Sequence, residues 1–183
     1  MVNISVVVGS LRKASYTRMV ARAMADLAPA GSKCEFVDIG DLPLYNQDSD
    51  TENPPAAWAT FRDRIRPANA VLFATPEYNR SVPGVLKNAI DVGSRPYGKS
   101  VWSRKPAAIV SVSPGAIGAF GANHHLRQSL VFLDMPCLQQ PEAYVGHVNT
   151  LFNEEGKLTN DGTRDFLRKY METFAAWIDR NGR

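Results

Sequence analysis

Along the chain, short apolar runs rich in β-branched residues alternate with longer stretches whose apolar positions recur at helical spacing. The runs "NISVVV" (3–8), "CEFVDI" (34–39), "AVLFAT" (70–75) and "AAIVSVS" (107–113), with a weaker "PEAYV" (141–145), predict five strands. The patterns at about 15–28, 55–67, 83–94, 120–134 and 161–180 predict five helices. The first, third and fourth runs are apolar at consecutive positions, as expected of strands covered on both faces. Alternating strands and helices joined by right-handed crossovers build a parallel sheet between two helical layers, an α/β three-layer sandwich. No repeat, linker or low-complexity tract interrupts the 183 residues. That length suits one domain, 1–183, burying roughly 70% of the surface of its unfolded chain.

A five-stranded parallel sheet of this kind commonly takes the order 2-1-3-4-5, with a ligand crevice at the carboxyl ends of strands 1 and 3, where the winding reverses. The loops after strands 1, 3 and 4 ("GSLRKASYT", "PEYNRSVPG" and "PGAIGAFGA") are then expected to converge. The long irregular "GDLPLYNQDSDTENPP" after strand 2 is expected at the same rim.

Composition narrows the chemistry. No apolar run approaches the ~18 residues of a membrane span, and a strand-like "ISVVV" stands where a secretory leader would have its basic segment. A cytoplasmic protein with no membrane partner is expected. The net charge is only +3, and its Lys and Arg are dispersed among acids rather than forming the stripe that nucleic acid requires. Cys34 and Cys137 lie far apart beside apolar residues and read as small buried core residues. His124 and His125 diverge by about 100° on a predicted helix, and His147 stands alone, so no metal site is expected.

The first loop has the position of a phosphate loop but neither glycine pattern that grips a pyrophosphate. Six residues beyond Gly9 stands Ser15, where a P-loop needs its lysine, and the G-x-G-x-x-G positions are Gly9, Leu11 and Ala14. What remains is a helix start with the hydroxyls of Ser10, Ser15 and Thr17 and the guanidinium of Arg12, a donor set suited to one terminal phosphate. A helix cap at Ser15 or Thr17 and a solvated Arg12 would account for the same residues. In the second loop Pro76 stiffens the peptide groups of Glu77 to Asn79, which suits reading the edge of a planar heterocycle with Tyr78 at its rim. In the third, Gly115, Gly118 and Gly121 permit close backbone approach to a flat ligand, or simply a turn.

"GSLRKAS", "TPEYNRSVPGVLKNAID" and "SPGAIGA" together resemble the NAD(P)H-dependent FMN reductase family, which includes quinone, chromate and ferric reductases; the likeness runs from about residue 3 to 145. The resemblance implies a flavodoxin-like fold, a bound FMN, and transfer of two electrons from NADH or NADPH to small soluble acceptors. It places the FMN phosphate at Ser10, Arg12, Ser15 and Thr17, with Tyr16 close by, and the isoalloxazine against Pro76, Glu77, Tyr78 and Asn79, with Ser113 and Gly115 beyond. The scheme this resemblance implies is ping-pong: hydride would pass to flavin N5 and an acceptor would then replace the oxidised nicotinamide, with no side chain named as catalytic.

Val92 stands where many relatives have tryptophan, and the following "SRPYG" offers Arg95 as a candidate contact for an anionic acceptor or for the nicotinamide cofactor's phosphates; an exposed loop cation is the competing reading. Gly121 stands where relatives often carry an arginine at subunit contacts, which favours a homodimer over a homotetramer. The main rival is a flavodoxin-type electron carrier without its own NAD(P)H oxidase activity, though such carriers are strongly acidic. A dinucleotide dehydrogenase using Asp38 lacks its glycine pattern, and a receiver domain lacks the carboxylates that its strand ends, "VGS" and "ATP", would have to carry.

Overall fold

Every residue of "AVLFAT" and "AAIVSV" is buried, the condition for strands covered on both faces. The computed structural model describes residues 1–182. Its strands are β1 (Val2–Val8), β2 (Ser32–Val37), β3 (Ala70–Thr75), β4 (Ala107–Val112) and β5 (Ala143–Val145). Its helices are α1 (Tyr16–Asp26), α2 (Ala56–Ile65), α3 (Gly84–Gly93), α4 (Phe120–Phe132) and α5 (Asp161–Asn181). The sheet order is β2-β1-β3-β4-β5, parallel throughout, so the expected flavodoxin-like order is the observed one.

Alternation along each strand divides the core in two. Val6, Val8, Leu72 and Val110 face α1 and α5, where Val20, Met24, Tyr170 and Phe174 meet them. Val7, Val71, Phe73 and Ile109 face the other layer, packing with Trp58, Phe61, Leu86, Ile90, Trp102 and Leu126. Each large side chain so buried contributes roughly 1.5–3 kcal/mol. The short β5 pairs only with Val110 to Val112. Beyond it, the Tyr170 hydroxyl donates to the Ile109 carbonyl at 2.9 Å and accepts from its amide at 3.2 Å.

The segment after β2 starts at the rim, where Gly40 meets Leu11 of the first loop. The rest is strapped down over α2 and α3: Asn88 donates to the Leu42 and Pro43 carbonyls and accepts from the Tyr45 amide, and Trp58 Nε1 donates to Pro43 O. Arg62 closes the strap with two 2.9 Å bonds to Asp50, the side chains being only 7% and 2% exposed. These polar anchors sit on helices whose apolar spacing is all that periodicity reports.

The cysteines also differ in degree: Cys34 and Cys137 are half-buried against the two cores rather than inside them. Burial still pushes the Cys34 thiol up to about 11 and raises Cys137, so both are protonated at neutral pH. Among the described residues no helix is long and apolar enough to cross a membrane, and no three metal-ligating side chains cluster.

Replacing Arg62 with methionine leaves Asp50 buried without its guanidinium partner and is expected to cost about 3 kcal/mol in denaturant unfolding. An unchanged midpoint would show that the Asp50 carboxylate reaches water.

Candidate functional site

Gly9 carries the chain out of β1, its amide bonded to the Ala74 carbonyl at 2.8 Å. A Cβ there would lie 3.0 Å from Leu86 Cδ2 and 3.4 Å from Pro76 Cδ, so glycine lets the first loop leave flush against the second. Ser15 is the N-cap of α1, its Oγ accepting from the Arg18 amide at 3.1 Å. The Tyr16 and Thr17 amides have no acceptor within the helix. The cap uses a lone pair of Ser15 and leaves its O–H free to donate, so the capping and ligand-binding readings of this residue are compatible. Ser10, Ser15 and Thr17 are 4%, 2% and 4% exposed. Arg12 is exposed at the mouth, whereas Arg18 turns away to Asp38 at 3.5 Å.

In the second loop Tyr78 and Ser81 exchange both backbone hydrogen bonds, at 3.0 and 2.9 Å, making a hairpin with Asn79 and Arg80 at its tip, φ 51° and 63°. This two-residue turn with positive φ at both central positions was not legible in the sequence, since neither is glycine. In the third loop Ser113 Oγ donates to the Gly115 carbonyl at 3.1 Å. Gly118, at φ +57°, lies so close to Tyr144 that a Cβ would sit 2.6 Å from its carbonyl carbon.

The three loops enclose one cleft of about 130 Å³ at the switch point. Ser10, Arg12, Ser15, Tyr16 and Thr17 line it from the first loop, Pro76, Glu77 and Tyr78 from the second, and Ser113 from the third. Asn79 and Gly115 adjoin it as exposed residues just beyond the lining. Val112, Pro114 and Val148 also line it and were missed. Val148 arrives through a 3₁₀ turn after β5, its amide bonded to Ser113 O at 3.3 Å, a fold-back with no periodic signal.

Arg95 is not brought there. It follows α3 and lines a separate cavity of about 310 Å³ between α3 and α4, beside Asp91, Gln128 and Phe132. The two adjacent histidines diverge as expected: His124 Nε2 lies 2.9 Å from Tyr144 Oη and His125 Nδ1 2.9 Å from Ser81 Oγ. Burial and a hydrogen bond to Glu142 push the Tyr144 phenol up to about 12.

Hydroxyls, helix-end amides and a guanidinium thus gather at one end of the cleft, where they suit a compact anion. The other end offers stiff backbone and an aromatic rim, which suits a flat ring. This donor set fits a ligand with a single terminal phosphate attached to a planar group.

A family model described as NADPH-dependent FMN reductase matches residues 2–150. A quinone reductase of Pseudomonas putida is 65% identical over 179 residues, 98% of this chain and 96% of that protein. A 2-hydroxy-1,4-benzoquinone reductase of a Burkholderia species is 48% identical, covering 96% and 95%. Among solved structures, FerB, a flavoenzyme NAD(P)H:(acceptor) oxidoreductase from Paracoccus denitrificans, superposes with a TM-score of 0.93 at 38% identity over the full length of both chains.

Replacing Ser15 with alanine removes the α1 cap and is expected to lower stability by about 1 kcal/mol. Thermal unfolding of the unliganded protein checks this; an unaltered transition would mean that water caps the helix equally well.

Proposed function

The chain belongs to the NADPH-dependent FMN reductase family, and on that premise we propose that it is an FMN-dependent NAD(P)H:quinone oxidoreductase. The observation that carries this reading is the convergence, at the reversal of winding, of a single-phosphate donor set with a rigid, ring-sized backbone edge. Ser10, Ser15, Thr17 and the first-turn amides of α1 would hold the phosphate, with Arg12 at the mouth of the cleft as its charged partner. Pro76 to Asn79 take one edge of the ring, with Ser113 and Gly115 beyond. FMN held there would supply the redox chemistry, two-electron transfer from NADH or NADPH to a quinone. The protein contributes position and preorganised donors. The names and near-complete coverage of the reductase relatives support this over a carrier without NAD(P)H oxidase activity.

A cleft of about 130 Å³ is smaller than the roughly 300–1,000 Å³ of pockets that enclose a ligand of this size. The outer face of the ring is then left for the nicotinamide, the acceptor and a neighbouring subunit. On α4, Val131 and Phe132 are each 77% exposed, and exposed apolar side chains grouped in this way mark an association surface. We read the protein as a homodimer joined through this face, working in the cytoplasm. Arg95 sits on the same face, beside Phe132, so assembly decides whether it meets an acceptor.

The purified protein is expected to bind FMN with quenched flavin fluorescence and to oxidise NADH or NADPH when a quinone is present. No uptake and no turnover would reject the assignment. Replacing Arg12 with alanine should weaken FMN binding by about 1.5–3 kcal/mol, the worth of a hydrogen bond to a charged group; unchanged affinity would return Arg12 to the solvated surface. Replacing Phe132 with aspartate should yield monomers in analytical ultracentrifugation, and an unaltered mass would move the interface elsewhere.

A further inference from the structure

Helix α4 starts without a cap of its own. Its N-cap residue is Ala119, left-handed at φ 61°, with no side chain able to accept a hydrogen bond, although a helix start leaves its first amides unpartnered. The acceptor arrives from 45 residues earlier: Glu77 Oε2 accepts from the Ala122 amide at 3.0 Å. The other carboxylate oxygen, Oε1, accepts from Arg80 Nη1 at 3.0 Å. Glu77 is a nearly enclosed side chain, 12% exposed, while its arginine partner is 74% exposed.

Two further ties join the same segments. Gly121 packs so tightly under the hairpin that a Cβ would lie 2.9 Å from both Arg80 O and Glu77 Oε2. One turn along, His125 meets Ser81 at 2.9 Å. The hairpin needs such support, because Asn79 and Arg80 both hold left-handed φ values that L-residues disfavour. The third loop is tied to the same helix: Asn123 donates to Ser111 Oγ at 3.2 Å, and Ser111 Oγ donates to the Gly118 carbonyl at 2.7 Å.

We propose that Glu77 is a positioning residue whose carboxylate brackets the second loop to α4, so that the backbone amides of Glu77 and Asn79, which the Tyr78–Ser81 hairpin leaves free, keep one geometry against the flavin ring. The side chain works through α4, and the contact with the ring belongs to the main chain. This rests on the preceding reading that the cleft holds FMN. The consequence is electronic as well as structural. Donors held in place stabilise the negative charge of a reduced ring because they need no reorganisation when that charge forms. Loosening them makes the bound flavin harder to reduce while leaving the phosphate grip untouched.

The test compares FMN-loaded wild type with Glu77→Ala, Glu77→Gln and Gly121→Ala, reading FMN affinity, midpoint potential and quinone reduction. Glu77→Ala is expected to shift the potential to more negative values and lower kcat about tenfold, with FMN affinity and the KM for NAD(P)H changed by no more than about threefold. Glu77→Gln keeps an oxygen for the Ala122 amide and should recover most of both values. Gly121→Ala forces the hairpin away from α4 and should shift the potential in the same direction as Glu77→Ala. If Glu77→Ala yields no folded protein, the other two variants carry the decision: recovery in the glutamine variant with a negative shift in Gly121→Ala supports the proposal. Wild-type potentials in both Glu77→Ala and Gly121→Ala, measured beside an active wild type, would overturn it. So would wild-type potentials in Gly121→Ala where Glu77→Ala does not fold, or failure of Glu77→Gln to recover. A wild type that takes up no FMN overturns the parent reading and this one together, and the unmutated control reveals that case directly.

Discussion

Strands β1 and β3 are hydrogen-bonded neighbours whose chains leave toward opposite faces of the sheet, and that divergence is the constraint on which the site depends. The chain after β1 enters α1, which packs with α5; the chain after β3 enters α3, which packs with α2 and α4. A gap opens at the carboxyl ends of the two strands because no connection crosses it. Gly9 sets how closely its walls approach, since any side chain there would meet Leu86 and Pro76.

The two ends of this gap use different chemistry. At the first loop the donors are side-chain hydroxyls and unpaired helix amides, concentrated where a small dense charge is best solvated. At the second and third loops the wall is main chain stiffened by Pro76, by the Tyr78–Ser81 hairpin and by the tight approach of Gly118 to Tyr144. A flat ring presents donors and acceptors along its edges and little charge, so rigid peptide groups suit it better than mobile side chains. Helix α4 joins the two descriptions. Its buried side packs Leu126 and Leu130 into one core, its start is capped by Glu77, and its outer side exposes Val131 and Phe132.

Much of this is legible in the sequence. Runs such as "AVLFAT" report burial on both faces because a strand exposing one face alternates, and the alternation of strands and helices reports a parallel sheet. The first loop lacks the glycines that admit a pyrophosphate, and the hydroxyls and Arg12 that stand out in its sequence do line the cleft. Other features had no local signal. The strap after β2 is held by Asn88, Trp58 and Arg62, which lie far along the chain from the residues they bind. Val148 reaches the cleft only because the chain turns back after β5.

The sequence by itself determined the element order, the two buried faces of the central strands and the identity of the polar groups that line the cleft. These follow from periodicity, from steric limits on glycine and proline, and from side-chain chemistry, all of them local. Only the tertiary structure decided that Glu77 caps a helix begun by Ala119, that Asn79 and Arg80 are held left-handed, and that Arg95 stands apart from the cleft beside Phe132. Those facts depend on distances between segments tens of residues apart, which packing sets and hydrophobic patterning does not encode.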